Sequence, residues 1–471
     1  MAVVLVLSIG VLSFNFGARH LITNDDTRFP VMARDLLANG HWLVPALPDG
    51  TPHLMKPPLG VWLIALASWP VGAVSVRTAV LPSVLEAIAV ALLTYWLGRR
   101  LFEPSAGVVA GLTVATTLGV YSMAHSSMPD MAQLAAGTGA MALYEAFEFG
   151  NDPAWLAPFY GVIGVGSLAK GAAGFVPLAI VVADTIVTHG VVGLKRLVSM
   201  TGWVIVLTLA VPWWIASAVV GGRTRFVHGV VMADQLLSYF WRPVWNGRTL
   251  MEPFVHAVTV VLPWGLLLPF PIRRALQETD PAARRRVRLL FTWLITVFVL
   301  IAVSGRQRDR YYLMLCPAAA LVLAWWYSTF ASRWRARAFA VVWLIVVAGG
   351  AVLVIRDTPR FNSTTDLREL DAVLARAPAP LFAFDLQDLA LSFNLDRPVV
   401  NDKNYQTFES RARQGARGYL IVSDRALRGD HVGPCMRRIA NGVVTGRSFT
   451  VLDPRGCVNG LSSESTPQPH G

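Results

Sequence analysis

The sequence is short of charge. Only 15% of its 471 residues are Asp, Glu, Lys or Arg, against about 25% in a soluble globular protein. That excludes an ordinary water-soluble domain as the reading of the whole chain. Cysteine is scarce as well. There are three, with no C-x-x-C and no Cys/His cluster, so a structural zinc site is not expected. A cleavable leader is not evident either. The start, "MAVVLVLSIGVLSF", has no basic n-region and no A-x-A site before the charged loop, and it reads as a first membrane helix. No internal repeat is found, which removes one mark of a transporter.

What is present is apolar length. Hydrophobic residues make up 54% of the chain. Runs long enough to cross a bilayer fall near 2–21, 78–98, 106–125, 130–148, 154–169, 171–188, 197–219, 253–272, 289–304, 312–330 and 338–355. The expectation is an all-α multi-pass membrane protein with about eleven transmembrane helices. The net charge is +12, from 41 basic and 29 acidic residues. Its arginines cluster in short loops between apolar runs. Anionic membrane lipid and orientation signals explain them better than nucleic acid does, and no nucleic-acid partner is expected.

The basic loops 273–288, 332–337, 194–196 and 99–100 fall on one side when eleven spans follow an inside N-terminus. The positive-inside rule makes that side cytoplasmic. The segments "NDDTRF" (24–29), "HSSMPD" (125–130), Lys170, loop 220–252 and "SGRQRDRYY" (304–312) then lie on the outer, periplasmic or extracellular, face. Basic residues occur there too, against the rule, and call for another explanation.

The long outer segment 22–77 contains "TRFPVMARDLLANG", a surface helix with Pro30 in its first turn and Gly40 as its stop. Phe29, Met32, Leu36 and Leu37 share a face, as an interfacial helix requires. "KPPLGVWLIALASWP" (56–70) is apolar but too short to cross, and reads as a second interfacial helix. After about residue 356 the composition changes. "LFAFD", "GYLIVSD" and "GRSFTVLD" look like strands, and "TTDLRELDAVLARA" like an amphipathic helix. The expected domains are a transmembrane part, 1–355, a small soluble α/β domain on the outer face, 356–460, and a disordered tail, 461–471. Cys435 and Cys457 could pair there in an oxidising compartment.

Four groups could carry chemistry. Asp25 and Asp26 offer adjacent carboxylates, one to take a proton and one to orient it, with Arg28 holding them ionised. They read equally as solvated loop charges. Lys56 opens the second interfacial helix, as a phosphate ligand or a snorkelling side chain. Arg306, Arg308 and Arg310 alternate before Tyr311 and Tyr312. They form either a phosphate clamp or an interfacial anchor. Asp130 stands at a helix start after Pro129, as a reactive carboxylate or a cap. Lys170 is a turn anchor or a further cation. Arg248 belongs to an arginine- and tryptophan-bearing outer loop. The alternative to an enzyme is a multi-pass lipid or glycan flippase.

The order of these landmarks resembles one family. "NDDTRFPVMARDLLANGHWLVPALPDGTPHLMKPPLGVWLIAL" is similar to the first outer loop of the lipid A aminoarabinose transferases and the related protein O-mannosyltransferases. "MPD", "LAKG", "EPFVHAVTVVLPWG" and "RDRYYLMLCPAAAL" follow in that family's order. The resemblance covers about residues 15–330. It implies a type-C glycosyltransferase fold, a polyprenyl-phosphate-linked sugar as donor, and a glycolipid, cell-wall glycan or protein hydroxyl as acceptor. It implies Asp25 as general base, Asp26 as its partner and Asp130 as a second essential carboxylate. Lys56, Arg248 and Tyr311 or Tyr312 become donor-phosphate ligands, with Arg308 and Arg310 beside them. Where many relatives have Glu before Lys-Pro, this chain has Met55. That departure puts a metal in doubt, and no metal or other cofactor is expected.

Overall fold

In the computed structural model, which describes residues 1–222, 247–331, 334–376, 380–402, 408–410, 418–429 and 436–455, helices run from Ala2 to Asn362 and a small sheet follows. In chain order they are α1 (Ala2–Leu12), α2 (Asn24–Asn39), α3 (Leu59–Ser68), α4 (Val76–Leu101), α5 (Pro104–Ala115), α6 (Leu118–Ala124) and α7 (Asp130–Gly150). Then come α8 (Leu156–Lys170), α9 (Val176–His189), α10 (Met200–Gly221), α11 (Gly247–Val261), α12 (Pro269–Ala275), α13 (Pro281–Ala302), α14 (Leu315–Ser328) and α15 (Arg335–Asn362). Among the described residues, five helical stretches are long and apolar enough to cross a membrane, or seven if each of two bent pairs is one span.

Helix α14 is the centre of the bundle. Every residue from Leu315 to Trp325 is buried. Such a helix is apolar all round because protein surrounds it. Helix α15 contains a still more apolar stretch, yet only Trp343 is buried, which fits a helix facing lipid.

Three expected spans differ from straight helices. The run 2–21 is helical only to Leu12, about 16 Å of helix and too short to cross. Asn15 and Gly17 have left-handed backbones and unwind the rest. A methyl on Gly17 would meet Arg77 Cγ at 2.5 Å, so the turn also needs a residue without a side chain. Helices α5 and α6 meet at a 59° bend, and α11 bends by 104° before the next helical stretch, Trp264–Ala275. Pro263 lacks the N–H that would continue α11. The Thr116 hydroxyl donates back to Leu112 O, a bond that competes with regular helix. The two breaks satisfy each other. Leu118 N–H donates to Leu262 O at 2.7 Å, and the Trp264 indole donates to Thr116 Oγ1 at 2.9 Å. Broken backbone inside a membrane bundle persists only when its polar groups find such partners.

Beyond α15 lie α16 (Arg368–Arg376), β1 (Leu381–Phe384), α17 (Asp388–Asn394), β2 (Val399–Asn401), β3 (Tyr419–Ser423), α18 (Asp424–Gly429), β4 (Arg437–Val444) and β5 (Arg447–Asp453). The sheet order is β2-β1-β3-β5-β4. Strand β1 is parallel to both β2 and β3, and β5 is antiparallel to β3 and β4. The three strands expected from sequence are β1, β3 and β5; β2 is hidden by its brevity and β4 by its polar first half. Cys435, Cys457 and the tail 461–471 lie outside the described residues.

At one end of the bundle, α7, α9 and α13 are tied by a closed ion network. Arg285 donates to Asp184 at 2.8 and 3.1 Å and to Glu148 at 3.0 Å. Tyr144 donates to Asp184 at 2.7 Å, and Arg196 reaches Glu148 at 3.1 Å. The opposite end of α7 begins with Asp130.

Candidate active site

The stretch "NDDTRF" is not a loop. It is the first turn and a half of α2, capped by Thr23, whose hydroxyl accepts from Asp26 N at 3.1 Å. The helix therefore starts three residues before the position expected from Pro30, which sits inside it. Proline has no N–H, so the carbonyl four residues earlier, that of Asp26, has no helical donor. The Ser127 hydroxyl fills that place, donating to Asp26 O. Gly40 ends the helix in the left-handed conformation, as expected.

The two adjacent carboxylates have different surroundings. Asp26 is 6% exposed. Its Oδ1 accepts from Ser126 and its Oδ2 from Thr23, both at 2.9 Å. Both oxygens are spent on hydroxyls: that of Ser126 fixes α2 against the segment before α7, and that of Thr23 caps α2 itself. Asp25 is half-buried and faces arginines: Arg310 at 3.1 Å, Arg28 at 3.5 Å and Arg308 at 3.6 Å. Burial pushes its carboxyl up, but the charge and hydrogen bond of Arg310, with Arg28 and Arg308, outweigh this and hold it below the usual carboxylate range.

Arg310 also lies 3.8 Å from Asp130. Asp130 is buried at the first residue of α7, where the helix dipole favours a carboxylate. Its Oδ1 accepts from Lys170 Nζ at 2.6 Å, and Lys170 ends α8, the favourable terminus for a cation. The ammonium sits 4.6 Å from the Tyr311 ring centroid, and the Arg310 guanidinium 5.7 Å from the same ring. Residues far apart in sequence thus form one chain: Asp25, Arg310, Asp130, Lys170, with Tyr311 against its cationic members. Lys170 is no turn anchor; its ammonium belongs to this cluster.

Tyr312 turns away. It is fully buried, donates to Gln307 Oε1 at 2.6 Å and stacks on His256. Of the two tyrosines only Tyr311 faces the cluster. Lys56 lies in the turn before α3, and a methyl on Gly60, four residues on, would touch Pro129 Cβ at 3.1 Å. That packing brings the start of α3 beside Asp130. Arg248 stands in the first turn of α11, but its side chain, like Arg223, Arg225 and Arg242, lies outside what is described. Among the described residues no three His, Cys, Asp or Glu side chains gather as metal ligands.

Two features were not read from the sequence. His256 Nδ1 pairs with Asp309, beside Arg310. The signal was a lone histidine in the apolar "EPFVHAVTVV". The other is the grip of α17 on α2. Asn24 N–H donates to Gln387 Oε1 at 2.8 Å, Asn24 Nδ2 to Asp388 Oδ1 at 2.8 Å, and Leu389 N–H to Asn24 Oδ1 at 3.0 Å. Arg34 adds an ion pair to Asp396 at 3.1 Å and a stack on Phe393. No local pattern encodes such a pairing across more than 350 positions.

Residues 55–216 match the family model described as dolichyl-phosphate-mannose-protein mannosyltransferase. An undecaprenyl phosphate-alpha-4-amino-4-deoxy-L-arabinose arabinosyl transferase of Pectobacterium carotovorum is 26% identical over 75% of this chain and 63% of its own length. The Edwardsiella ictaluri enzyme of the same name is 27% identical over 65% and 55%. The chain thus spans less than two thirds of the length of these relatives. Among solved structures, ArnT from Cupriavidus metallidurans bound to undecaprenyl phosphate superposes with a TM-score of 0.75, 17% identity and 99% coverage of both chains. The Archaeoglobus fulgidus oligosaccharyltransferase gives a TM-score of 0.57 at 12% identity, covering 90% of this chain and 69% of that one. The chain therefore has the type-C glycosyltransferase fold that these solved structures share, and its sequence resembles the aminoarabinose transferases and, over residues 55–216, the protein mannosyltransferase family model.

Proposed function

We propose that this protein is a membrane glycosyltransferase that moves a sugar from a polyprenyl-phosphate donor to an acceptor hydroxyl. The observation that carries the reading is the sharing of Arg310 between Asp25 and Asp130. It gives one half-exposed carboxylate with room for a hydroxyl and several cations with room for a phosphate. The relatives' names supply the donor class: undecaprenyl phosphate sugars for the arabinosyl transferases, dolichyl phosphate mannose for the family model.

In this mechanism the donor phosphate draws Arg308 and Arg310 away from Asp25. Competition of that kind raises the basicity of Asp25 at the moment of binding. Asp25 then takes the proton of the acceptor hydroxyl. The acceptor oxygen bonds to the anomeric carbon, and the bond from that carbon to the phosphate oxygen breaks. The electron pair leaves with the polyprenyl phosphate, whose charge Arg310, Arg308 and Lys56 stabilise. Direct displacement inverts the anomeric centre. Asp26 positions Asp25, and Asp130 with Lys170 positions Arg310. Arg28, Arg248 and Tyr311 complete the donor site, Tyr311 rather than Tyr312 because only Tyr311 faces the cations.

The same reading sets the topology: about eleven crossings of the cytoplasmic membrane, the site and residues 356–460 on the outer face, and the arginines of 273–288 inside. Charges gathered at the ends of the bundle, rather than at mid-membrane, suit transfer better than transport. The test uses purified protein in lipid with labelled polyprenyl-phosphate sugar. Release of free polyprenyl phosphate that stops in Asp25→Asn supports the reading; unaltered release in that variant refutes it. Comparing glycolipids and glycoproteins from cells with and without the gene identifies the acceptor.

A further inference from the structure

We infer that a crevice beside α15 holds one acyl chain of an anionic phospholipid, with the lipid phosphate seated at the first turn of that helix. The site lies at the opposite end of the bundle from Asp25 and does not depend on the transferase reading.

The crevice follows from how α15 packs. Trp343 is its one buried residue, and the Trp343 indole donates to Leu112 O at 3.1 Å. Toward the start of α15 a cavity of about 460 Å³ opens between it, α5 and α14. The walls are apolar and aromatic, among them Trp264, Leu323, Trp326 and Phe339. Phe330, Trp334 and Val342 also line it and are themselves exposed, so the cavity opens outward on the face where α15 meets lipid.

Depth and polarity suit an acyl chain. The mouth is at Arg335, which pairs with Glu103 at 2.7 Å. Thr113, at the inner end, lies ten residues beyond Glu103, about 15 Å along a helix. That is roughly the hydrocarbon depth of one leaflet, half of about 30 Å. The Thr113 hydroxyl is buried, faces this cavity and has no partner among the described residues. One hydroxyl does not hold water, which needs about two to four polar partners. Hydrocarbon packs against the remaining walls.

Charge at the mouth points to an anion. Arg335 is already spent on Glu103 and on the carbonyls of Ser328 and Phe330, at 3.2 and 3.0 Å. Arg337 is not. It is exposed, stacks 4.5 Å from the Trp334 ring centroid, and makes no hydrogen bond or ion pair among the described residues. Trp334 gives α15 no side-chain cap, so the first N–H groups of a 28-residue helix add their dipole beside this guanidinium. Arg99 and Arg100 end α4 just before Glu103. Basic pockets between membrane helices select anionic headgroups.

Position separates this lipid from the sugar donor. Helix α5 begins beside the mouth, and α6, its continuation past the bend, ends just before the serines that hold Asp26. The donor phosphate belongs to the arginines around Asp25. At the far end, phospholipid is the anion that the bilayer itself supplies.

The test uses the full chain in phosphatidylcholine nanodiscs doped with phosphatidylglycerol that carries a photoactivatable diazirine in one acyl chain. Peptide mass spectrometry maps the cross-links. Labelling is expected at Leu323 and its crevice neighbours, about fivefold above that from a phosphatidylcholine probe with the same chain. Arg337→Gln is expected to remove most of that preference, and Val342→Trp, which fills the crevice, to remove the labelling. Thermal unfolding checks that both variants fold. Exposed Leu207 and Ile215 on α10 serve as a lipid-facing reference that both probes label alike. Crevice labelling no stronger than on α10 overturns the site. Equal labelling by the two probes, or an unchanged preference in folded Arg337→Gln, overturns the anionic headgroup. Displacement of the probe by polyprenyl phosphate more readily than by unlabelled phosphatidylglycerol overturns the assignment to phospholipid.

Discussion

Helix α7 carries an ion network at each end, and the two are built differently. At the Glu148 end the carboxylates of Glu148 and Asp184 are 6% and 0% exposed, and Arg285 binds both at 2.8–3.1 Å. Both carboxylates are enclosed and the Arg285 arms are short, while Arg196 on the rim is 33% exposed. At the Asp130 end Asp25 is 30% exposed, Arg308 is 58% exposed, and the contacts lengthen to 3.6 and 3.8 Å. A closed network fixes helices and has no place for a ligand. An open one, with cations in excess around a reachable carboxylate, holds its parts ready for another anion. The two ends differ in burial and in bond length rather than in the kinds of charge they hold.

The largest effect should come from breaking the open end. Asp25→Asn is expected to lower transfer by about a thousandfold, the scale of a general base, with the thermal midpoint nearly unchanged. Polyprenyl phosphate release and a melting curve measure the two. Breaking the closed end should invert this. Asp184→Asn leaves the Arg285 charge buried with one carboxylate fewer, and is expected to destabilise the protein by about 3 kcal/mol. Turnover per folded molecule should stay as it was; a loss of turnover without a loss of stability would erase the distinction between the ends.

A smaller effect concerns pH. The base is active when deprotonated. In the free protein Asp25 is held below the usual value near 4, so the acid limb of kcat/KM, which reports the free protein, should fall below about pH 4. Its folding contribution has the same sign: present above the unfolded value and lost as pH falls through the depressed one. Arg310→Gln removes the main lowering partner and leaves burial, so the acid limb should move up. An unmoved limb would show that Asp25 is not the titrating group. Smallest is Ser127→Ala, which leaves the Asp26 carbonyl without a donor and should cost about 1 kcal/mol, read as a shift in unfolding midpoint.

Much of this was legible in the sequence, and the parts that were not share a cause. Apolar length gave the membrane class, and the order of landmarks gave the type-C fold. Different surroundings for Asp25 and Asp26 arise because Asp26 bonds to Thr23, in a local Thr-x-x-Asp pattern, and to Ser126, a hundred residues on, which no local pattern announces. Pro30 misled, because proline marks a first turn unless the carbonyl it frees finds a partner elsewhere, and Ser127 lies a hundred residues away. Tyr311 and Tyr312 could not be told apart without knowing that Asp309–Met314 is a 3-10 turn, which points neighbours in different directions. The bends at Thr116 and Pro263 were invisible to a count of apolar residues, since both sides of each bend are apolar.

Those two bends have a mechanical consequence. The bond from Leu118 N–H to Leu262 O welds the elbows of two segments that are remote in the chain. Helix α6 leads directly into the serines that hold Asp26, and α11 carries His256, which holds Asp309 beside Arg310. One joint therefore sets the spacing between the carboxylate side and the arginine side of the cluster, much as a rivet sets the gap of a pair of tongs.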